Sequence, residues 1–487
     1  MNPLKKLFKQ TFIYGLATVL PRVLSFLLVP LYTSVMNPET YGEISVIFSW
    51  FAIFNVVLAY GMETAFFRFF NKYTDKERVI STSLISLLIS SLVFFVASLL
   101  FKQAFASLID VKESLMVYII LILVLDALTI VPFAWLRAKE RSLRYSVVKV
   151  STVAVNLLLN IFFLTLLPEL AENGQSFWAN FFTPDFQIEY VFIANVISSG
   201  MAFLWVSGIY FDSKYRFDKG MWKEMIKYAL PVMVAGIAFT VNEVFDRILL
   251  DYLLPEDVAK AEIGKYSACY KLVVFMTLFG TAFRLGVEPF FFSHANSENP
   301  QKTYAQITNY FVIMGSIIFL GVIVLIDPLK RLLVRDPAFW EALDVVPIIL
   351  LGSFCLGIYH NLSVWYKVTD QTKFGAYISS VGAIITLVIN IVLIPKIGYM
   401  ASALATLAAY GSMMILSYYF GKKYYPVPYN MRKIGFYLSV SLIFSILSFY
   451  VFNRNLIGGS VLLLLFLGLV YKMEADKLRS IFIKRED

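Results

Sequence analysis

The sequence is poor in charge, poor in cysteine and almost without histidine. Only 15% of its 487 residues are Asp, Glu, Lys or Arg, against about 25% in ordinary globular domains. The two cysteines, Cys269 and Cys355, both sit in apolar segments and offer neither a disulfide framework nor a metal pattern. The two histidines, His294 and His360, are far apart, so no His/Cys/carboxylate group has ligand spacing and neither a metal nor another cofactor is expected. No Gly-x4-Gly-Lys-Ser/Thr loop is present, which excludes that route to ATP hydrolysis. A serine elbow and paired catalytic carboxylates are missing too, and the chain is not read as an enzyme. Long polar segments are also lacking. No loop exceeds roughly two dozen residues, whereas a soluble catalytic domain needs at least about 50.

What is present is apolar sequence: 59% hydrophobic and 17% aromatic residues, with a mean hydropathy of +0.72. Runs of about 20 apolar residues mark membrane spans. About fourteen are expected, at residues 11–33, 44–67, 80–101, 116–136, 147–167, 190–211, 228–252, 266–291, 305–326, 342–366, 374–394, 400–420, 435–452 and 457–471. The opening MNPLKKLFKQ precedes a run too long for a cleaved signal, so it leads into an uncleaved first span.

The net charge of +9 falls in short loops rather than on a soluble basic face, which points to membrane orientation and away from nucleic acid. Loops after even-numbered spans, with both tails, hold roughly 29 Lys and Arg, and the other loops roughly 9. NKYTDKER at 71–78, RAKERSLR at 137–144 and KKYYPVPYNMRK at 422–433 belong to the first set; 34–43 and 168–189 carry no basic residue at all. Both termini are therefore expected on the cytoplasmic side.

The chain repeats itself. Pro38-Glu39 is echoed by Pro255-Glu256, and Gly42-Glu43-Ile44-Ser45 by Gly264-Lys265-Tyr266-Ser267. Gly61-Met62-Glu63 is echoed by Gly286-Val287-Glu288, Trp135-Leu136-Arg137 by Trp365-Tyr366-Lys367, and Asn160 by Asn390, all in the same order. Each repeat holds six spans, and an even number makes the repeats parallel. The expected fold is an all-α polytopic membrane protein with lobes at 1–220 and 221–425, followed by two further helices and a tail at 426–487. Transporters of this build place the substrate between the halves.

Ionisable residues inside spans are costly and mark function by default. The densest group lies in span seven, where Asn242, Glu243, Asp246, Arg247 and Asp251 share a stripe, with Glu243, Arg247 and Asp251 spaced as an i, i+4 ladder. Arg22 follows Pro21 in mid-span, and two readings stand: it faces the Glu243–Arg247 stripe across a cavity, or it pins two helices through a carboxylate. Asp246 and Arg247 have equally a structural and a substrate reading; Asn242 and Glu243, deeper, are the better cavity candidates. Arg284 suits an anionic ligand, given the planar fork of the guanidinium. Glu63 and Glu288 read as snorkelling residues or gate contacts, and Lys271 as reaching water. Asp126 and His360 read as interhelical hydrogen-bonding residues. Glu63, Asp126, Lys271 and Glu288 are the gate or ion-coupling candidates.

The stretches AFTVNEVFDRILLDYLLPEDVAKAEIGKYSACYKL, VINIVLIPKIGYMASALATLAAY and FIYGLATVLPRVLSFLLVPLYTSVMNPETYGEISV resemble helices seven and eight, eleven and twelve, and the first hairpin of bacterial polysaccharide flippases. Those flippases belong to the multidrug/oligosaccharidyl-lipid/polysaccharide exporter superfamily. The resemblance implies two lobes in a V, as in multidrug transporters, around a cationic cavity. It also implies a cargo: an oligosaccharide of O-antigen, lipopolysaccharide or capsule type on undecaprenyl pyrophosphate, turned between leaflets of the bacterial inner membrane by alternating access. Arg22, Arg247 and Arg284 become candidates for the pyrophosphate. Implied partners are membrane lipid and the polysaccharide polymerase and chain-length machinery, with the flippase itself a monomer. Alternatives are a drug/cation antiporter, a peptidoglycan-precursor flippase and, in another class, a membrane-embedded polymerase or ligase. That last class calls for a large outer loop with catalytic Arg or His, and 168–189 has neither.

Overall fold

The computed structural model describes residues 19–172, 176–293 and 298–483. The expected amino-terminal tail, the first part of the first span, His294 and the end of the carboxy-terminal tail lie outside them. Among the described residues the chain is helical, and thirteen helices are long and apolar enough to cross a membrane. In chain order, α1 is the shorter apolar helix Val19–Val35, followed by α2 Pro38–Lys72, α3 Lys76–Leu100, α4 Glu113–Ala138, α5 Ser142–Glu172, α6 Gln187–Asp212 and α7 Lys219–Leu253. Then come α8 Glu256–Glu288, α9 Pro300–Val324, α10 Pro337–Val368, α11 Lys373–Ile397, α12 Tyr399–Tyr424, α13 Met431–Val451 and α14 Leu456–Ala475. Each coincides with one expected span, because a segment in hydrocarbon has to satisfy its own backbone and a helix does so internally.

Polar residues set the helix ends. Asn37 caps α2 by accepting from the Thr40 N–H at 2.9 Å, with Pro38 in the first turn. Asp75 caps α3 through Arg78 N at 3.1 Å, and Asp218 caps α7 through Met221 N at 2.9 Å. Helix α2 is broken once. Tyr60 and Gly61 both take left-handed backbone angles, with φ of 32° and 72°. Glycine suits the second position doubly, since a Cβ there would also overlap the Ala229 carbonyl of α7.

Packing divides the chain into two compact units, 1–264 and 265–487. The repeat places the lobe boundary at residue 220, whereas the packing boundary falls within α8. The reason is that α7 lies along α2: besides Gly61 on Ala229, Gly236 faces the Val56 side chain, and Gly264 at the start of α8 meets Pro38 and Gly42. The first unit has a core of Met62, Phe66, Leu84, Val131, Met225 and Ala229, drawn from α2, α3, α4 and α7. In the second unit, Gly315 of α9 faces the Phe354 ring and Gly357 of α10 faces the Phe311 ring, a reciprocal fit of ring onto bare backbone. Helix α12 buries Ala401, Ala403, Ala405 and Ala409, and such small residues allow membrane helices to approach closely. Helices α13 and α14, the expected 426–487 appendage, belong to the second unit, tied to each other where Tyr437 Oη and Lys433 Nζ meet the buried Glu474 carboxylate.

Candidate functional site

In the second unit, α8 and α10 enclose a small cavity lined by Gly280, Arg284, Val287, Glu288, Phe291, His360, Asn361, Val364 and Lys367. Its volume is about 20 Å³, room for roughly one water. Gly280 leaves the wall open, because nothing lies within 4 Å of a Cβ placed there. Arg284 and Glu288 are one helical turn apart, yet they do not pair. The Glu288 carboxylate turns to Lys367 Nζ at 2.6 Å. The carboxylate lining this cavity is thus already engaged, and Arg284 presents its guanidinium to the cavity beside His360 and Asn361. An arginine placed this way inside a membrane helix is expensive unless something negative visits it.

The first unit holds the counterpart of one of these contacts. Glu63 of α2 pairs with Arg137 of α4, as Glu288 of α8 pairs with Lys367 of α10. These are the residues that end the echoed Gly-x-Glu and Trp-x-basic triplets. Glu63 and Glu288 are therefore interhelical ion-pair partners in matching places.

Helix α7 carries the polar stripe. Arg247 Nη1 donates to Asp246 Oδ1 at 2.9 Å and to the Glu243 carbonyl oxygen at 3.1 Å. Asp246 and Arg247 are both buried, and a low-dielectric setting favours the shortest neutralising contact. Asp251 is held from α8: Lys260 Nζ lies 2.7 Å from Asp251 and 3.0 Å from Asp110, in the loop after α3. Tyr252 Oη also donates to the Leu108 carbonyl of that loop. Asn242 is buried and donates to the Ala238 carbonyl at 3.2 Å, while Glu243 lies on an exposed face. The Asn242–Asp251 stripe thus contains a buried Asp246–Arg247 pair and a bridge from Lys260.

Arg22 is exposed on α1, and Lys271 is exposed at a tight turn within α8. Asp126 accepts from Ser199 Oγ of α6 at 2.8 Å, the expected interhelical hydrogen bond. Lys149 of α5, which span composition alone does not flag, supplies positive charge near Asp126 and sits 4.2 Å from the Phe133 ring centroid. Lys260 and Lys149 both escape a search along single helices because their partners lie on other helices or loops. The echoed Trp-x-basic triplets do point to Arg137 and Lys367. No group of three or more His, Cys, Asp or Glu placed to hold a metal occurs among the described residues.

A family model described as "Polysaccharide biosynthesis protein" matches residues 7–283. The chain belongs to the polysaccharide biosynthesis protein family. A second family model, MatE, matches residues 224–392. No curated protein matches in sequence. Among solved structures, this member of the polysaccharide biosynthesis family is similar to one described as the lipid II flippase MurJ in an inward closed conformation, at 15% identity and TM-score 0.74, covering 95% of this chain and 99% of that one. An inward-facing multidrug resistance MATE transporter of the MOP superfamily matches at 12% identity and TM-score 0.64, over 88% and 96% of the two chains. A MOP superfamily transporter from Pyrococcus furiosus, described as having a binding pocket of reverse polarity, matches at 13% identity and TM-score 0.59, over 85% and 95%. The polysaccharide biosynthesis family member is thus a polytopic membrane protein with the fold of flippases and multidrug transporters.

Proposed function

We propose that this protein flips a lipid-linked oligosaccharide with a pyrophosphate head, of the undecaprenyl type, from the cytoplasmic to the periplasmic leaflet of a bacterial inner membrane. The observation that carries the reading is Arg284, an intramembrane guanidinium turned to a cavity whose carboxylate is engaged by Lys367. A guanidinium matches phosphate oxygens bidentately. A pyrophosphate-sugar head cannot cross hydrocarbon unaided, whereas a polyprenyl tail stays in lipid, so a polar site exposed alternately on the two sides suffices. Arg22 and Arg247 are further candidates for the head group, with Asn242, Glu243 and Asp246 beside Arg247. Asp126, Lys271, Glu63 and Glu288 are candidates for gating or ion coupling.

Deletion should strand undecaprenyl-linked sugar units in the inner leaflet. Normal surface polysaccharide in a deletion strain without a redundant flippase would sink the proposal. The similarity to a structure described as a lipid II flippase supports a second reading, a peptidoglycan precursor. The sugar composition of the accumulated lipid separates the two. The Arg284 cavity argues against a cationic drug as cargo.

A further inference from the structure

The basic-loop ends of α4, α5 and α6, in the first unit, enclose a second cavity of about 70 Å³ that the transport reading does not use. Arg141, in the turn between α4 and α5, and Arg144, in the first turn of α5, both line it, together with Trp135, Gly208 and Asp212. Helix α6 is interrupted at Ser207, between the segments Gln187–Val206 and Gly208–Asp212. The interruption frees the Trp205 carbonyl oxygen, and Arg144 Nη2 donates to it at 3.0 Å. One of the five guanidinium donors is thereby fixed, and the group is oriented without being neutralised. The Arg141 guanidinium lies 4.8 Å from the Trp135 ring centroid, held by a cation–π contact that likewise leaves its charge in place. Of the lining residues, Asp212 carries the one carboxylate, and it pairs with neither arginine among the described residues.

We infer that this cavity binds the phosphate of an anionic lipid headgroup. Two oriented guanidiniums offer the planar donor geometry that phosphate oxygens accept. Basic pockets between membrane helices on the positively charged side suit such headgroups, and Trp135 and Trp205 mark the headgroup level, where indole rings concentrate. The cavity has room for a phosphate group. Two arginines against one aspartate leave one net positive charge, which matches a phosphodiester monoanion rather than a pyrophosphate.

The test uses the full chain in detergent, with native mass spectrometry counting retained phosphatidylglycerol against phosphatidylcholine, and inorganic pyrophosphate as competitor. Selective retention of phosphatidylglycerol is expected, about tenfold weaker in Arg141→Gln/Arg144→Gln, on the scale of one charge-assisted hydrogen bond. Arg454→Gln, whose side chain lies over Phe449 instead, should retain the lipid as wild type does. If loss of Arg144 unfolds the chain, Arg141→Gln alone carries the test, since it leaves the Arg144–Trp205 contact intact. Equal retention of the two lipids, or wild-type retention by the arginine variants, overturns the inference. Displacement by pyrophosphate at comparable concentration overturns it as well, and hands the site to the phosphates of a carrier lipid.

Discussion

Glu288 and Lys367 close an ion pair at 2.6 Å at the place in the second repeat that Glu63 and Arg137 occupy in the first. Each pair joins the second helix of a repeat to the fourth. Both lie near the basic-loop ends of their helices and are partly exposed, so their energetic worth is modest and their recurrence is the informative part.

A double-mutant cycle with Glu288→Gln and Lys367→Gln should therefore give a coupling of about 0.5–1 kcal/mol in thermal unfolding, the range for partly exposed pairs. The exchanged variant Glu288→Lys/Lys367→Glu should recover part of the single-mutant loss. Strict additivity of the two single changes would show that the pair contributes nothing.

Arg284→Gln should lower flipping about 10- to 100-fold while leaving the thermal midpoint close to wild type, because the side chain contacts a cavity rather than a partner carboxylate. Arg284→Lys should keep the charge, lose the fork and fall between. The readout is the rate at which lipid-linked oligosaccharide becomes accessible on the far side of proteoliposomes. Wild-type rates in Arg284→Gln would remove the anion-site assignment.

Gly42→Ala and Gly264→Ala should each destabilise the chain by about 1–3 kcal/mol, the usual cost of overpacking. A Cβ on Gly42 would overlap the Lys260 carbonyl and stand 3.0 Å from Gly264 N, and one on Gly264 would overlap the Pro38 carbonyl and stand 3.1 Å from Gly42 N. Thermal midpoints in detergent should fall by similar amounts for the two variants. An unchanged midpoint in either would mean that the helices part readily at this point.

Asp218 lies outside the membrane helices and has its carboxyl held below the usual carboxylate range. The main cause is the Met221 N–H it accepts, with Gly220 N–H and Arg78 adding to it. A depressed folded value means that this contribution to stability is fully present above the unfolded value of about 4 and is lost as pH falls through the lower folded one. Asp218→Asn keeps the cap but cannot ionise, so its midpoint should fall less than wild type between about pH 5 and pH 3. Parallel pH profiles for the two proteins would contradict the assignment.

The spans were legible because hydrocarbon imposes length and composition strongly, and among the described residues each expected run falls on one continuous or once-broken helix. The repeat was legible as well, and the structure gives two of its echoes a physical meaning in the paired Glu63–Arg137 and Glu288–Lys367. Spacing along one helix left contacts out at α7. Arg247 meets the Glu243 carbonyl four residues back and also pairs with the adjacent Asp246. Asp251 finds Lys260 nine residues on, because the turn at Pro255 folds the start of α8 back onto the end of α7. No helical periodicity encodes that contact. The Arg284 cavity was half visible: Arg284 and Glu288 stood out as charges in an apolar run, whereas the choice of Lys367 over Arg284 as the partner of Glu288 depends on α10 lying beside α8.

The crossing at Gly42 and Gly264 contains no side chain from either glycine, only backbone against backbone. Such a joint has no rotamer to reset and no directional bond at its centre, so changing the angle between the two helices costs contact area and little else. At its rim, Lys260 ties Asp251 to Asp110 by charge and hydrogen bonding. Salt concentration, which barely touches a buried van der Waals contact, should act on that rim.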